Sequence, residues 1–136
     1  MTETAPAEKR STSTGRILVA DSNAVSVERL RKHLEAKGHL VDWAADGAHA
    51  LAMATSGGYD VMLLDVHVPV YDGVEVMRRL HLLIGRRLYV IAITAARPAG
   101  RREEMARMGA DAYLTKPIDL QVLDKELHRG LVRSRT

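Results

Sequence analysis

Five short apolar stretches recur along the chain, each handing over to polar residues and then to a segment with apolar residues three or four apart. The stretches are 17–20, 40–44, 59–64, 88–93 and 112–114, and several of them are continuous. A continuous apolar run of that length suits a strand buried on both faces. The segments between them suit amphipathic helices. Asp21-Ser22-Asn23 offers an N-cap, and Ala24, Val27, Leu30 and Leu34 follow at helical spacing up to Gly38. Asp46 can cap a second helix carrying Ala48, Leu51, Ala52 and Thr55, stopped by Gly57-Gly58. Asp72 and Glu75 form a D-x-x-E pattern ahead of Val76, Leu80, Leu83 and Ile84. Pro98 can open a fourth helix marked by Met105 and Met108 and stopped at Gly109. Asp119 can cap a fifth with Leu120, Leu123, Leu127 and Leu131 on one side. Strands alternating with helices, with two-sided strands among them, predict an α/β doubly wound sandwich with helices on both faces of a parallel sheet.

The chain has 136 residues, a length for one domain. Residues 1–15 hold no apolar side chain larger than Ala after Met1 and are expected to be a disordered leader. Residues 16–132 form the expected folded block and 133–136 a frayed tail. Nothing after the fifth helix has the length of an output domain, so the block is expected to act without an attached effector. There is no cysteine, which removes disulfides, Cys-based zinc sites and thiol nucleophiles. No apolar run approaches the ~18 residues of a membrane span, and no secretory signal opens the chain. A cytoplasmic location is expected. The net charge of +3 is mild. Arg86, Arg87, Arg97, Arg101, Arg102 and Arg107 make the region around the fourth helix basic, without interleaved aromatics. That pattern argues against nucleic acid and reads as a solvated face or a surface for an acidic protein.

In a doubly wound sheet, polar chemistry gathers at the carboxyl ends of the strands. The residues found there are Asp21-Ser22, Asp65, Thr94-Ala95 and Lys116-Pro117. Two carboxylates, a hydroxyl and an amine would converge on one edge. No G-x-x-x-x-G-K-[ST], G-x-G-x-x-G or G-x-S-x-G motif is present, which argues against common nucleotide sites and a serine-hydrolase elbow. Taken singly, each residue has a plain reading. A strand-end Asp21 can be a helix cap, Thr94 an ordinary strand end and Lys116 a solvated loop lysine; their joint occurrence carries the argument.

Four segments, 17–23, 61–73, 90–95 and 109–118, together resemble the receiver domain of two-component response regulators over residues 16–132. The resemblance implies a flavodoxin-like strand order, 2-1-3-4-5. It also implies that Asp65 is the phosphoacceptor, taking a phosphoryl group from a histidine kinase or phosphotransfer protein. Mg²⁺ would be held by Asp21, Asp65 and the backbone carbonyl of His67. Lys116 would pair with a phosphoryl oxygen, and a cis bond would precede Pro117. Thr94 would turn its hydroxyl to the phosphoryl group, with Tyr113 following it inward. This switch would change the surface of the fourth helix, fifth strand and fifth helix, where a downstream protein would bind. Catalysis in the strict sense would be at most self-phosphorylation and autodephosphorylation.

The chain departs from the family pattern at Ser22, where a second acid is usual. One lost unit charge, counted against another at about 4 Å and an effective dielectric of about 20, corresponds to about 4 kcal/mol before water compensates. Weak Mg²⁺ binding is therefore expected, and the alternative function is a pseudo-receiver, an interaction module independent of phosphorylation. His67 sits where the family commonly tunes phosphoryl lifetime. His33, His39, His49, His81 and His128 lack metal spacing and are expected at the surface. Trp43 is expected to close one side of the core.

Overall fold

The most continuous apolar stretches become the centre of the sheet. A computed structural model describes residues 14–95, 103–104 and 106–134. The strands are β1 (Arg16–Ala20), β2 (Leu40–Ala44), β3 (Val61–Asp65), β4 (Tyr89–Thr94) and β5 (Ala112–Thr115). They run parallel in the order β2-β1-β3-β4-β5. Every residue of β3 and β4 is buried, whereas the edge strands β2 and β5 are buried only in part. That contrast follows from helices covering both faces of the central strands.

Helix α1 (Ala24–Ala36) and the last helix, α5 (Leu120–Ser134), cover one face; α2 (Gly47–Ser56) and α3 (Gly73–Ile84) cover the other. Residues 103, 104, 106 and 107 are helical and are the described part of α4. Pro98 and Met105 of the expected fourth helix, and Arg97, Arg101 and Arg102, lie outside the described residues. Alternation along the strands feeds two buried layers. Ile17, Val19, Leu63 and Ile91 meet Leu34 and Leu127. Leu18, Met62, Leu64 and Val90 meet Ala54 and Leu80. Fully burying one such aliphatic side chain is worth about 1.5–3 kcal/mol, so these layers fix the register that places the strand ends.

The caps follow the sequence with one exchange. Asp46 accepts the His49 N–H, Asp72 the Glu75 N–H, and Asp119 the N–H groups of Gln121 and Val122. At α1 the cap is Asn23, whose side chain accepts the Ser26 N–H, while the Asp21 side chain is drawn elsewhere. Glu75, expected to complete a capping box, has its carboxylate engaged by Arg78 and Arg79.

Three expectations are corrected. His39 is buried, and its Nδ1 accepts the Gly15 N–H at 3.1 Å. His33 is half-buried and pairs with Asp124 at 2.9 Å across the α1–α5 contact. Trp43 remains 36% exposed, because β2 is an edge strand and its indole leans over the β1–α1 turn rather than into the core. At the chain's ends, residues 1–13 and 135–136 lie outside the described residues. Gly15, within the expected leader, already accepts the Leu40 N–H. Helix α5 runs through Ser134, two residues into the expected tail. Arg133 there bonds Asp111 at 2.6 Å, and Ser134 bonds Asp60 at 2.7 Å.

Candidate functional site

Alternation decides which side chains meet at the carboxyl edge. Ile17 and Val19 face the α1–α5 layer. Asp21, one ladder step past β1, continues that series, and its N–H still bonds the Ala44 carbonyl at 3.1 Å. Leu63 sets the same parity for Asp65, and Ala112 and Leu114 set it for Lys116. The three side chains converge. Lys116 Nζ lies 2.7 Å from Asp65 Oδ2 and 3.3 Å from Asp21 Oδ2. The other carboxylate oxygens accept backbone N–H groups, from His67 at 2.8 Å on Asp65 and from Asn23 at 2.8 Å on Asp21.

Both carboxylates are buried, while the Lys116 side chain is about one-third exposed. Burial alone would push the Lys116 pKa down. The hydrogen bond and charge of Asp65, with Asp21 behind it, outweigh burial and hold the ammonium above the usual lysine range. Two carboxylates share one ammonium, which leaves a formal charge of −1 at a partly covered edge. Such a surplus favours a cation. The peptide bond between Lys116 and Pro117 is cis.

Thr94 and Tyr113 belong to the opposite parity. Thr94 ends β4, is buried, and donates its hydroxyl to the Ala95 carbonyl at 3.0 Å. Tyr113 sits opposite Ala92 on β5, half-buried against the α2–α3 layer. The two therefore share a face behind the carboxylates. Ser22 and the His67 side chain are exposed at the rim.

The loop after β3 is tied down at both ends. Gly73 N–H bonds the Val66 carbonyl at 2.8 Å, and Gly47 N–H bonds the Pro69 carbonyl at 2.9 Å. A Cβ on Gly47 would overlap the Tyr71 carbonyl oxygen, so only glycine allows α2 to start this close to the loop. Within the loop, Val70 has a φ of 72° and is 72% exposed. Beside the carboxylates, α1 and the β5–α5 turn frame a groove of about 460 Å³, which Val25, Arg29 and Ile118 line together with Asp21 and Lys116.

Sequence reasoning named Asp21, Asp65, Lys116, Thr94 and Tyr113. It missed the clasp between Gly47 and Pro69, and it missed the bond from Trp43 to the Asp21 carbonyl at 2.7 Å. The signal for the second was parity. Val41 faces the α1–α5 layer, so Trp43 faces it too, one residue before the end of β2 and opposite Val19 of β1.

The donor set suits a hard cation that shares its shell with water and phosphate. Mg²⁺ typically takes one or two carboxylates and completes its octahedron with water and phosphoryl oxygens. Asp21 and Asp65 supply two carboxylates, and Ser22 supplies only a neutral hydroxyl. Among the described residues no three His, Cys, Asp or Glu side chains group to hold a metal by themselves.

The family model for the response regulator receiver domain matches residues 17–128. The chain belongs to this family. This receiver is 40% identical over 120 residues to the transcriptional regulatory protein TcrA of Mycobacterium tuberculosis, and 38% identical over 120 residues to the response regulator MprA of Mycobacterium ulcerans. Those alignments cover 87% and 88% of the chain but 46% and 51% of the two proteins. The receiver thus spans about half the length of these curated relatives. Among solved structures, it matches the receiver domain of the sensor histidine kinase PA1611 of Pseudomonas aeruginosa with a TM-score of 0.81 and 32% identity, over 88% of this chain and 98% of that one. The PA1611 structure has a magnesium ion coordinated in its active-site cleft. The Francisella response regulator 1452 receiver matches with a TM-score of 0.81 and 27% identity, over 88% and 98%.

Proposed function

We propose that this receiver is a phosphoacceptor of a two-component or phosphorelay system, with Asp65 as the residue that is phosphorylated. The observation that carries this reading is the buried Asp65 carboxylate. One of its oxygens is held by Lys116 Nζ and the other by the His67 N–H, at the open edge of the sheet. Phosphoryl transfer depends chiefly on placement and charge neutralisation, which such a site provides. Asp65 attacks the phosphorus of a phosphohistidine and forms an acyl phosphate, while the phosphorus–nitrogen bond breaks and the imidazole leaves. Lys116 then pairs with a phosphoryl oxygen as a compact cation.

Asp21, Asp65 and the His67 carbonyl would hold Mg²⁺, with Ser22 as a weakened position. The ion would neutralise charge between the carboxylates and the incoming group. The PA1611 receiver, with its bound magnesium, supports that assignment by similarity. Thr94 and Tyr113 form the switch. The phosphoryl group draws the Thr94 hydroxyl from the Ala95 carbonyl, and Tyr113, on the same face, moves with it. The surface changed is that of α4, β5 and α5, where a downstream protein partner binds.

The phosphodonor is a histidine kinase or a phosphotransfer protein, and a cytoplasmic location accompanies that role. No helix among the described residues is long and apolar enough to cross a membrane. Ser22 alone favours a phosphorylation-independent module, and the paired Asp65 and Lys116 outweigh it. The test is chemical mapping. After treatment with a small phosphodonor, borohydride should reduce an acyl phosphate at residue 65 to homoserine, which peptide sequencing locates. An unreduced Asp65, or reduction at another residue, would contradict the assignment.

A further inference from the structure

Trp43 is the chain's single tryptophan. Its Nε1–H donates to the Asp21 carbonyl at 2.7 Å, at the point where the β1–β2 ladder runs out. Asp21 N–H still donates its ladder bond to the Ala44 carbonyl. In a continued parallel pair, the Asp21 carbonyl would accept from a backbone donor two residues further along the partner strand. β2 ends at Ala44, and Asp46 is already the cap of α2. The indole supplies a donor from the side instead, and so fixes the plane of the Asp21–Ser22 peptide.

We propose that Trp43 is a positioning residue for the divalent cation, holding the Asp21–Ser22 peptide so that the Asp21 carboxylate faces Asp65. This inference rests on the phosphoacceptor reading and its metal. Mg²⁺ demands near-ideal octahedral geometry. With serine at residue 22, no second acid on this turn compensates for a rotated Asp21. The carboxylate is already steered from two directions, by the Asn23 N–H at 2.8 Å and by Lys116 at 3.3 Å. Both contacts depend on the turn that the indole pins.

The test is a Mg²⁺ titration followed through the backbone amide shifts of Asp21, Ser22 and Asn23. Wild type is compared with Trp43→Phe and with protein in which the sole tryptophan is replaced biosynthetically by its sulfur isostere, benzothienylalanine. The isostere keeps the ring shape and removes only the donor. The expected result is a Mg²⁺ dissociation constant raised about tenfold in both. A merely structural role would lower the urea midpoint and leave the folded protein's Mg²⁺ affinity unchanged. Wild type that binds Mg²⁺ while both variants bind equally well overturns this inference alone. Wild type whose amides do not respond to Mg²⁺ overturns the metal reading, and this inference with it.

Discussion

Lys116 sets the charge balance of the site. Its ammonium is the counter-ion of two buried carboxylates, and removing it leaves both facing each other. Lys116→Met keeps the aliphatic stem and deletes the charge. Phosphorylation by a small phosphodonor should fall about a hundredfold, the usual order for losing one donor to a developing anion; phosphoprotein appearance over time measures it. Val70 makes a different prediction. A β-branched residue at φ 72° occupies a conformation that costs roughly 1–2 kcal/mol in an L-residue. Its side chain is largely exposed, so little packing is lost on trimming it. Val70→Gly should stabilise the protein by about 1 kcal/mol in urea unfolding, after the glycine's own entropy cost. A lower midpoint would show that the valine side chain holds the loop.

The strands were legible because their apolar runs are a local property, and burial of β3 and β4 on both faces follows from the same runs. The caps were legible where the acid has one plausible partner, as at Asp46 and Asp72. They were left open at α1, where Asp21 and Asn23 of the Asp21-Ser22-Asn23 cluster can each cap. The choice falls to Asn23 because the Asp21 carboxylate is claimed by Lys116, 95 residues away, and no local pattern shows that. Trp43 and His39 were misplaced for a related reason, since both depend on which strand is the edge and what crosses it. The corner formed by α1 and β2 carries a pH prediction through His39. Burial lowers the pKa of its ring below 6.5; His33 and Lys37 push it the same way, and Asp124 opposes them. The neutral ring accepts the Gly15 N–H through Nδ1. The unfolded chain then takes up the proton more readily than the folded one. Stability is therefore fully present above about pH 6.5 and is lost as pH falls through the lowered folded value. Urea midpoints should drop between about pH 7.5 and about pH 5.5, and His39→Gln, which keeps an acceptor but does not titrate, should flatten the drop.

At the scale of the molecule, the sheet works as a divider. The carboxylates and Lys116 share the parity of the α1–α5 layer, while Thr94 and Tyr113 share that of the α2–α3 layer. Chemistry at one edge can thus reach the other side through a single strand end. The cost of Ser22 is also a whole-site effect. Ser22→Asp adds a third carboxylate beside Asp21 and Asp65. It should tighten Mg²⁺ binding about tenfold, or about 1.4 kcal/mol, and lower the metal-free urea midpoint through like-charge crowding. Calorimetric titration and metal-free unfolding read the two effects separately, and a change in only one of them would contradict the shared-site account. The most direct test of Asp65 as a metal-assisted phosphoacceptor is intact mass after incubation with a small phosphodonor, with and without Mg²⁺. The account predicts a single phosphoryl mass gain that depends on Mg²⁺, is absent in Asp65→Asn and is larger in Ser22→Asp. An equal gain in Asp65→Asn, or no gain in wild type and Ser22→Asp alike, would contradict it.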